Sequence, residues 1–153
     1  MPGTYSQLYI QVVFAVKFRQ NLIHPQRQEE LNKYISGIIT NKGQKSLIVN
    51  GVSDHIHVFV SLDPAMRISD LVRDIKNNSS GFINEQGWID HKFRWQEGYG
   101  VFSYSQSHIH RVYNYILRQQ EHHRKRTFRE EYLELLKKFE IPYDPRYLFE
   151  WYE

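Results

Sequence analysis

Between His55 and Val60 the chain reads His-Ile-His-Val-Phe-Val. This strict alternation matches the two-residue period of a pleated strand and breaks the 3.6-residue period of a helix. Ile56, Val58 and Val60 fall on one face, His55, His57 and Phe59 on the other. A strand with one aliphatic face needs a layer packed on that side, so it must sit in a sheet covered by helices or a second sheet. If helices cover the aliphatic face, the imidazoles stand on the opposite, more open one. At i and i+2 their Cα atoms lie roughly 7 Å apart, close enough for two rings to converge on one ion. Imidazole suits several divalent metals. Two polar residues on a solvated sheet face have the same spelling, so both readings stand here.

The rest of the chain supplies that sheet and its helices. Leu8 to Lys17 is dense in β-branched and aromatic residues without a breaker, a central strand. After a loop through Gln20-Asn21, Pro25 opens a helix with apolar positions at Leu31, Tyr34, Ile35, Ile38 and Ile39. Lys42-Gly43 stops it. Lys45 to Val52 reads as a strand, Ser53-Asp54 as a tight turn, and His55 to Leu62 as the next strand. Asp63-Pro64 opens a second helix with the stripe Ile68, Leu71, Val72, Ile75, and Asn77-Asn78-Ser79-Ser80-Gly81 ends it. Phe93 to Trp95 and Gly100 to Tyr104 supply short strands around Gly98-Tyr99-Gly100. Ser105 or Ser107 caps a third helix running to about His123, and Thr127 caps a last one, Phe128 to Phe139, ended by Pro142. The aromatic tail (Tyr143, Tyr147, Phe149, Trp151, Tyr152) is expected to pack on the body. The order β-α-β-β-α-β predicts a ferredoxin-like α+β sandwich with an antiparallel sheet, followed by a tyrosine-bearing helix and a C-terminal helix. With 153 residues, one domain spanning 1–153 is the expectation.

Composition narrows the chemistry. Cysteine is absent, which excludes a disulfide framework, a thiolate metal site and a thiol nucleophile. With 8 His and 11 Tyr, what is left is imidazole-bound metal, imidazole acid/base work, a phenol nucleophile, and stacking on bases. No apolar run approaches the ~18–20 residues that span a bilayer, and the start Met1-Pro2-Gly3-Thr4 carries no secretory pattern. A cytoplasmic protein without a membrane partner is expected. The net charge of +3 is too mild to identify a partner.

The local charge is more telling. From Arg111 to Arg129 the basic residues are Arg111, Arg118, Arg124, Lys125, Arg126 and Arg129, against Glu121 alone. Such a stripe can track a phosphate backbone, and Tyr99, Phe102 and Tyr104 just upstream can stack on unpaired bases. A solvated helix face and core aromatics would look the same. Within this segment Tyr115 and Gln119 are spaced i, i+4 and share a helix face. Gln oxygen is a hard neutral ligand compatible with Mg²⁺ or Mn²⁺, and a cation beside a phenol favours its ionised, nucleophilic form. The bland reading is a half-buried helix tyrosine and a surface glutamine. His108 and His110 repeat the His-x-His spelling, but on a helix they diverge by ~200° and cannot share an ion. His122-His123 at the helix end can complement the C-terminal dipole when protonated or meet phosphate, with ordinary polar residues as the bland reading, whereas the unpaired His24 and His91 read as ordinary polar residues.

Taken together, Asp54-His55-Ile56-His57-Val58-Phe59-Val60 resembles the histidine–hydrophobic–histidine strand of the HUH nucleases. Tyr115-Ile116-Leu117-Arg118-Gln119-Gln120-Glu121-His122-His123 resembles the tyrosine helix of the single-tyrosine transposases of small bacterial insertion sequences, with the REP-associated tyrosine transposases as near relatives. Val13 to Phe18 with Arg19, Gly98 to Ser107, and Arg124 to Tyr132 agree in order. The resemblance implies that His55, His57 and Gln119 hold Mg²⁺ or Mn²⁺ and that Tyr115, not Tyr113, is the nucleophile, since only Tyr115 has Gln four residues on. It implies metal-assisted cleavage and rejoining of single-stranded DNA through a 5′-phosphotyrosine, recognition of DNA hairpins, and a homodimer whose active site typically combines two subunits. Arg111, Arg118, Arg124, Lys125 and Lys76 are the candidate phosphate contacts. Two rivals remain: a non-catalytic ferredoxin-like nucleic-acid-binding module, and a metal-dependent phosphodiesterase without a covalent intermediate. The proton acceptor for Tyr115 is open; Asp54, one residue before His55, is expected to point away from the histidine face.

Overall fold

The aliphatic faces of three strands dictate where the first two helices go. The computed structural model describes residues 2–148. In it β1 (Tyr9–Ala15), β2 (Lys45–Val52), β3 (His55–Ser61) and β4 (Gly100–Tyr104) form an antiparallel sheet in the order β2-β3-β1-β4. The histidine strand is interior: His57 faces Val13 of β1 on one side and Asn50 of β2 on the other. α1 (Pro25–Asn41) and α2 (Ile68–Gln86) cover one sheet face, where Ile56, Val58 and Val60 pack with Phe14, Leu31, Ile35, Leu71 and Ile75. This is the expected ferredoxin-like α+β sandwich. α1 starts as read, with Pro25 in its first turn and the His24 ring accepting from the Gln26 N–H at 3.1 Å.

α2 departs from the sequence reading at both ends. Asp63 caps only a local turn, accepting from the Ala65 N–H at 2.9 Å, and the helix begins at Ile68. It then runs through the Asn-Asn-Ser-Ser-Gly stretch to Gln86, stopped by Gly87 at φ 66°. Continuation of the stripe through Ile75, Ser79 and Ile83 explains this, because all three are buried. Ser79 is satisfied inside the helix, donating to the Ile75 carbonyl at 2.6 Å and accepting from the Trp95 indole at 2.9 Å. Phe93 and Trp95 enter the core instead of forming a strand; Trp95 keeps one bridge to Val16.

The second sheet face is covered, not open. After β4 a short 3-10 turn (Gln106–His108) leads into α3 (Ile109–Leu117), α4 (Gln119–His122) and α5 (Phe128–Lys138). Ser105 precedes the turn, and its hydroxyl meets Ser107 and His108 instead of capping a helix. α3 packs Val112 and Ile116 on Phe59, while α5 packs Phe128, Tyr132 and Leu135 on Val13, Ala15 and Phe102. The single helix expected up to His123 is broken at Arg118 (φ −98°, ψ 25°). Asn50 of β2 causes the break by donating its amide to the carbonyls of Ile116 at 2.9 Å and Leu117 at 3.2 Å, which a continuous helix would use itself. Thr127 caps α5, accepting from the Glu130 N–H at 3.2 Å. Of the tail, Leu148 packs against the α5 cluster, whereas Tyr143 and Tyr147 are exposed. Phe149, Trp151 and Tyr152 lie outside the described residues.

Candidate metal centre and tyrosine site

Because α5 closes over β3, His55 and His57 are fully buried and face one carboxylate, Glu131. Oε1 of Glu131 accepts from Nε2 of His57 at 3.0 Å, of His55 at 3.2 Å and of His123 at 3.1 Å. Its Oε2 accepts from the Gln119 amide at 3.0 Å and from the Tyr115 hydroxyl. Gln119 Oε1 in turn lies 3.2 Å from His55 Nε2. The ring of Phe128 stacks on His55 at 4.0 Å, sealing it from solvent.

The far nitrogens of the two histidines are also held. His55 Nδ1 donates to Asp54 at 2.7 Å, and Arg19 lies 3.9 Å from the other oxygen of that carboxylate. The expectation that Asp54 points away fails because it belongs to the turn, outside the alternating strand. His57 Nδ1 meets the Gln11 amide at 2.8 Å, and Tyr104 donates to the Gln11 oxygen at 2.6 Å. Burial disfavours a charged imidazole, but for His55 the Asp54 and Glu131 carboxylates outweigh it and hold the pKa at about 9. For His57 burial wins and the pKa is lowered. Glu131 is held well below the carboxylate range: burial works against its charge, and His57, His123 and His55 overcome it.

This donor set fits a divalent cation. The ligand atoms of His55, His57 and Glu131 lie within 4.8 Å of one another. Donors around an octahedral ion at 2.0–2.1 Å are about 3 Å apart, close to the spacings just given. Two imidazole nitrogens with amide and carboxylate oxygens can together hold such an ion. Asp54 fixes the His55 tautomer in the way that outer carboxylates orient metal-bound histidines. For His57 to ligate through Nε2, its proton must move to Nδ1, and the Gln11 amide must then turn its oxygen to it.

Tyr115 borders the same cluster. Its ring centroid lies 5.9 Å from that of His57, and His122 stacks on its other side at 4.8 Å. Arg126 donates to the phenol oxygen at 2.9 Å. Burial and the Glu131 charge push the phenol pKa far above its ordinary value, so here the hydroxyl is protonated and pinned between a carboxylate and a guanidinium.

The structure thus brings together His55, His57, Tyr115 and Gln119, all from one chain. Tyr113 is exposed on the outer side of α3. Arg111, Arg118, Arg124 and Lys125 are exposed on the helical layer over the histidine face. Lys76 is elsewhere: on α2, across the sheet, its ammonium donates to the carbonyls of Gln96 at 2.8 Å and Gly98 at 2.7 Å. Phe102 is core and Tyr104 is bonded to Gln11, so of the three aromatics proposed for stacking Tyr99 alone is exposed. Sequence reasoning missed Glu131 and placed neither Arg126, named only in the basic stripe, nor His123 in the cluster. Glu131 carried a signal: it sits three residues after Phe128 and four before Leu135, on the buried stripe of α5.

The fold and the cluster define a ferredoxin-like protein in which a His-x-His strand faces a tyrosine-bearing helix. The family model for IS200-like transposases matches residues 4–119, and the chain belongs to that family. It is 27% identical over 95 residues to the transposase for insertion sequence element IS200 of Salmonella typhimurium (strain LT2), covering 59% of this chain and 62% of that protein. The Salmonella typhi counterpart matches equally. The match therefore spans less than two thirds of those relatives' length. Among solved structures, a candidate transposase from Deinococcus radiodurans R1 shares the fold with a TM-score of 0.63 at 20% identity, over 78% of this chain and 95% of that one. A REP-associated tyrosine transposase bound to a REP hairpin shares it with a TM-score of 0.59 at 13% identity, over 80% and 73%. No described helix is long and apolar enough to cross a membrane.

Proposed function

We propose that this chain is a transposase that cuts and rejoins single-stranded DNA through a 5′-phosphotyrosine on Tyr115. The carrying observation is the convergence of Tyr115, Gln119, His55 and His57 on one buried carboxylate. A divalent ion, Mg²⁺ or Mn²⁺, held by His55, His57 and Gln119 beside Glu131, would polarise the scissile phosphate and offset its developing charge. The Tyr115 oxygen attacks phosphorus in line, the phosphotyrosine bond forms, and the strand leaves with a 3′-OH. Arg126, already on the phenol oxygen, offsets the charge that develops as the proton departs. A later 3′-OH reverses the step, and no ATP is needed because the phosphodiester energy is kept in the covalent link.

Arg111, Arg118, Arg124 and Lys125 contact phosphates in this reading, and Lys76 has no part in it. A hairpin-bearing strand as substrate is supported by the hairpin complex of the REP-associated relative. The reading takes residues 1–153 as one catalytic domain working on cytoplasmic DNA, and keeps the homodimer of the resemblance. Each site draws on one chain, supported by the 5.9 Å separation of the His57 and Tyr115 rings within a single copy.

The test is incubation with hairpin-bearing single-stranded DNA and Mg²⁺ or Mn²⁺. A denaturation-resistant protein–DNA adduct is expected with the native chain and none with Tyr115→Phe. Cleavage surviving that substitution overturns the nucleophile, and binding without cleavage favours the non-catalytic module. Mixed Tyr115→Phe and His57→Ala proteins are expected to stay inactive; rescue would mean shared sites.

A further inference from the structure

Beyond the tyrosine centre lies a cleft of about 710 Å³, within the roughly 300–1,000 Å³ typical of ligand sites. It opens between the β2–β3 turn, the start of α1 and the Arg124–Lys125 connection. It is lined by His123, which donates to Glu131 at 3.1 Å, so the cleft shares a wall with the candidate metal centre. Arg126 lines both this cleft and a smaller pocket that Tyr115 and Arg111 also line. A strand whose phosphate reaches Tyr115 therefore has room on the far side of Arg126.

The lining is chemically specific. Asn21 is fixed by the Ser53 hydroxyl, which donates to its side-chain oxygen at 2.8 Å; this leaves the Asn21 NH₂ as a held donor. Gln28 is 7% exposed and donates to Asn32 at 2.8 Å; this leaves its oxygen as a held acceptor. Arg124 and Lys125 at the rim have no ion pair among the described residues, in contrast to Arg126, which pairs with Glu134. A fixed donor and a fixed acceptor with two free cations nearby match one nucleotide: the amides meet a base edge and the cations meet its phosphate.

We propose that this cleft holds the nucleotide next to the scissile phosphate and that Asn21 and Gln28 read its base. The inference rests on the single-stranded DNA reading above and adds a specificity site to it. Neither residue touches the metal cluster or Tyr115.

Two measurements test it. First, 20-nucleotide single strands carrying 5-iodouracil are photocrosslinked to the native protein in chelator, where no cleavage occurs, and the joined peptides are mapped. Crosslinks in residues 20–28 or 120–128 are expected, and crosslinks confined to other segments overturn the proposal. Second, a pool of single strands with 30 randomised positions is incubated with Mn²⁺, and the strands joined to protein are sequenced. The native chain is expected to favour one base at a position beside the linkage by roughly fivefold or more, the discrimination of one good base contact. Asn21→Ala and Gln28→Ala are each expected to bring this below twofold while keeping the circular dichroism spectrum of the native chain. An unchanged preference in both variants overturns the assignment. No adduct from the native chain, with crosslinks still in the cleft, overturns the covalent reading and supports the cleft as a nucleotide site.

Discussion

Asp54→Asn isolates the electrostatics beneath the histidine pair. In the metal-free chain the Asp54 carboxylate accepts from His55 Nδ1 at 2.7 Å, and with Glu131 it holds a fully buried imidazole at a pKa of about 9 instead of 6.5. At about 1.36 kcal/mol per pH unit, that difference corresponds to about 3 kcal/mol of folding stability. Because the folded-state pKa is the higher one, the contribution is complete below pH 6.5. It is lost as pH rises toward about 9, and it is absent above that. Asp54 is the larger of the two carboxylate influences, so asparagine is expected to remove about 2 kcal/mol at pH 6 and little at pH 9.5. Urea denaturation of both proteins in chelator, at both pH values, reads this directly. Equal losses at the two pH values would refute the charge argument and make Asp54 a residue of turn geometry alone.

Glu131→Gln keeps the shape of the cluster and removes its charge. Mn²⁺ affinity by calorimetry is expected to fall roughly tenfold or more, since charge count among the ligands tunes such sites. Asn50→Ala leaves the Ile116 and Leu117 carbonyls without their side-chain donor, a cost of about 1–3 kcal/mol in thermal or urea unfolding. It should also lower adduct formation more than hairpin binding, because Tyr115 and Gln119 flank the break that Asn50 holds. At Gly51 an added Cβ would lie 2.2 Å from the His55 carbonyl oxygen, a backbone atom that cannot step aside. Gly51→Ala is expected to cost roughly 3 kcal/mol and to weaken Mn²⁺ binding through the displaced histidine strand.

What the sequence revealed follows from how local each signal is. β2 has the bounds read from its residues, and β3 ends one residue short of them, because alternation and turn residues are properties of neighbouring positions. The break at Arg118 could not be read that way. Nothing between Ile109 and His123 forbids a continuous helix; the cause is Asn50, 66 residues away from the carbonyl it takes. Burial of His55 and His57 was misjudged for the same reason. The strand says which residues share a face, and only the docking of α5 says that the face is covered.

Glu131 shows how the two kinds of information combine. In sequence it is one acid in the run Arg129-Glu130-Glu131, and the segment reads as a basic stripe with scattered charge. Its position on the apolar stripe of α5 is the anomaly, since a buried carboxylate is tolerated only when paired. The family match ends at Gln119, so it covers both histidines, Tyr115 and the glutamine but neither His123, Arg126 nor Glu131. In the proposed reading the matched segment supplies His55, His57, Gln119 and Tyr115 together with the Asp54 carboxylate, and the segment after it adds the second carboxylate, Glu131, that acts on them. Changes in α5 should accordingly shift metal affinity and pH dependence while leaving the histidine–tyrosine geometry in place. Glu131→Gln and Asp54→Asn, measured side by side, separate the charge that comes from α5 from the charge that comes from the β2–β3 turn.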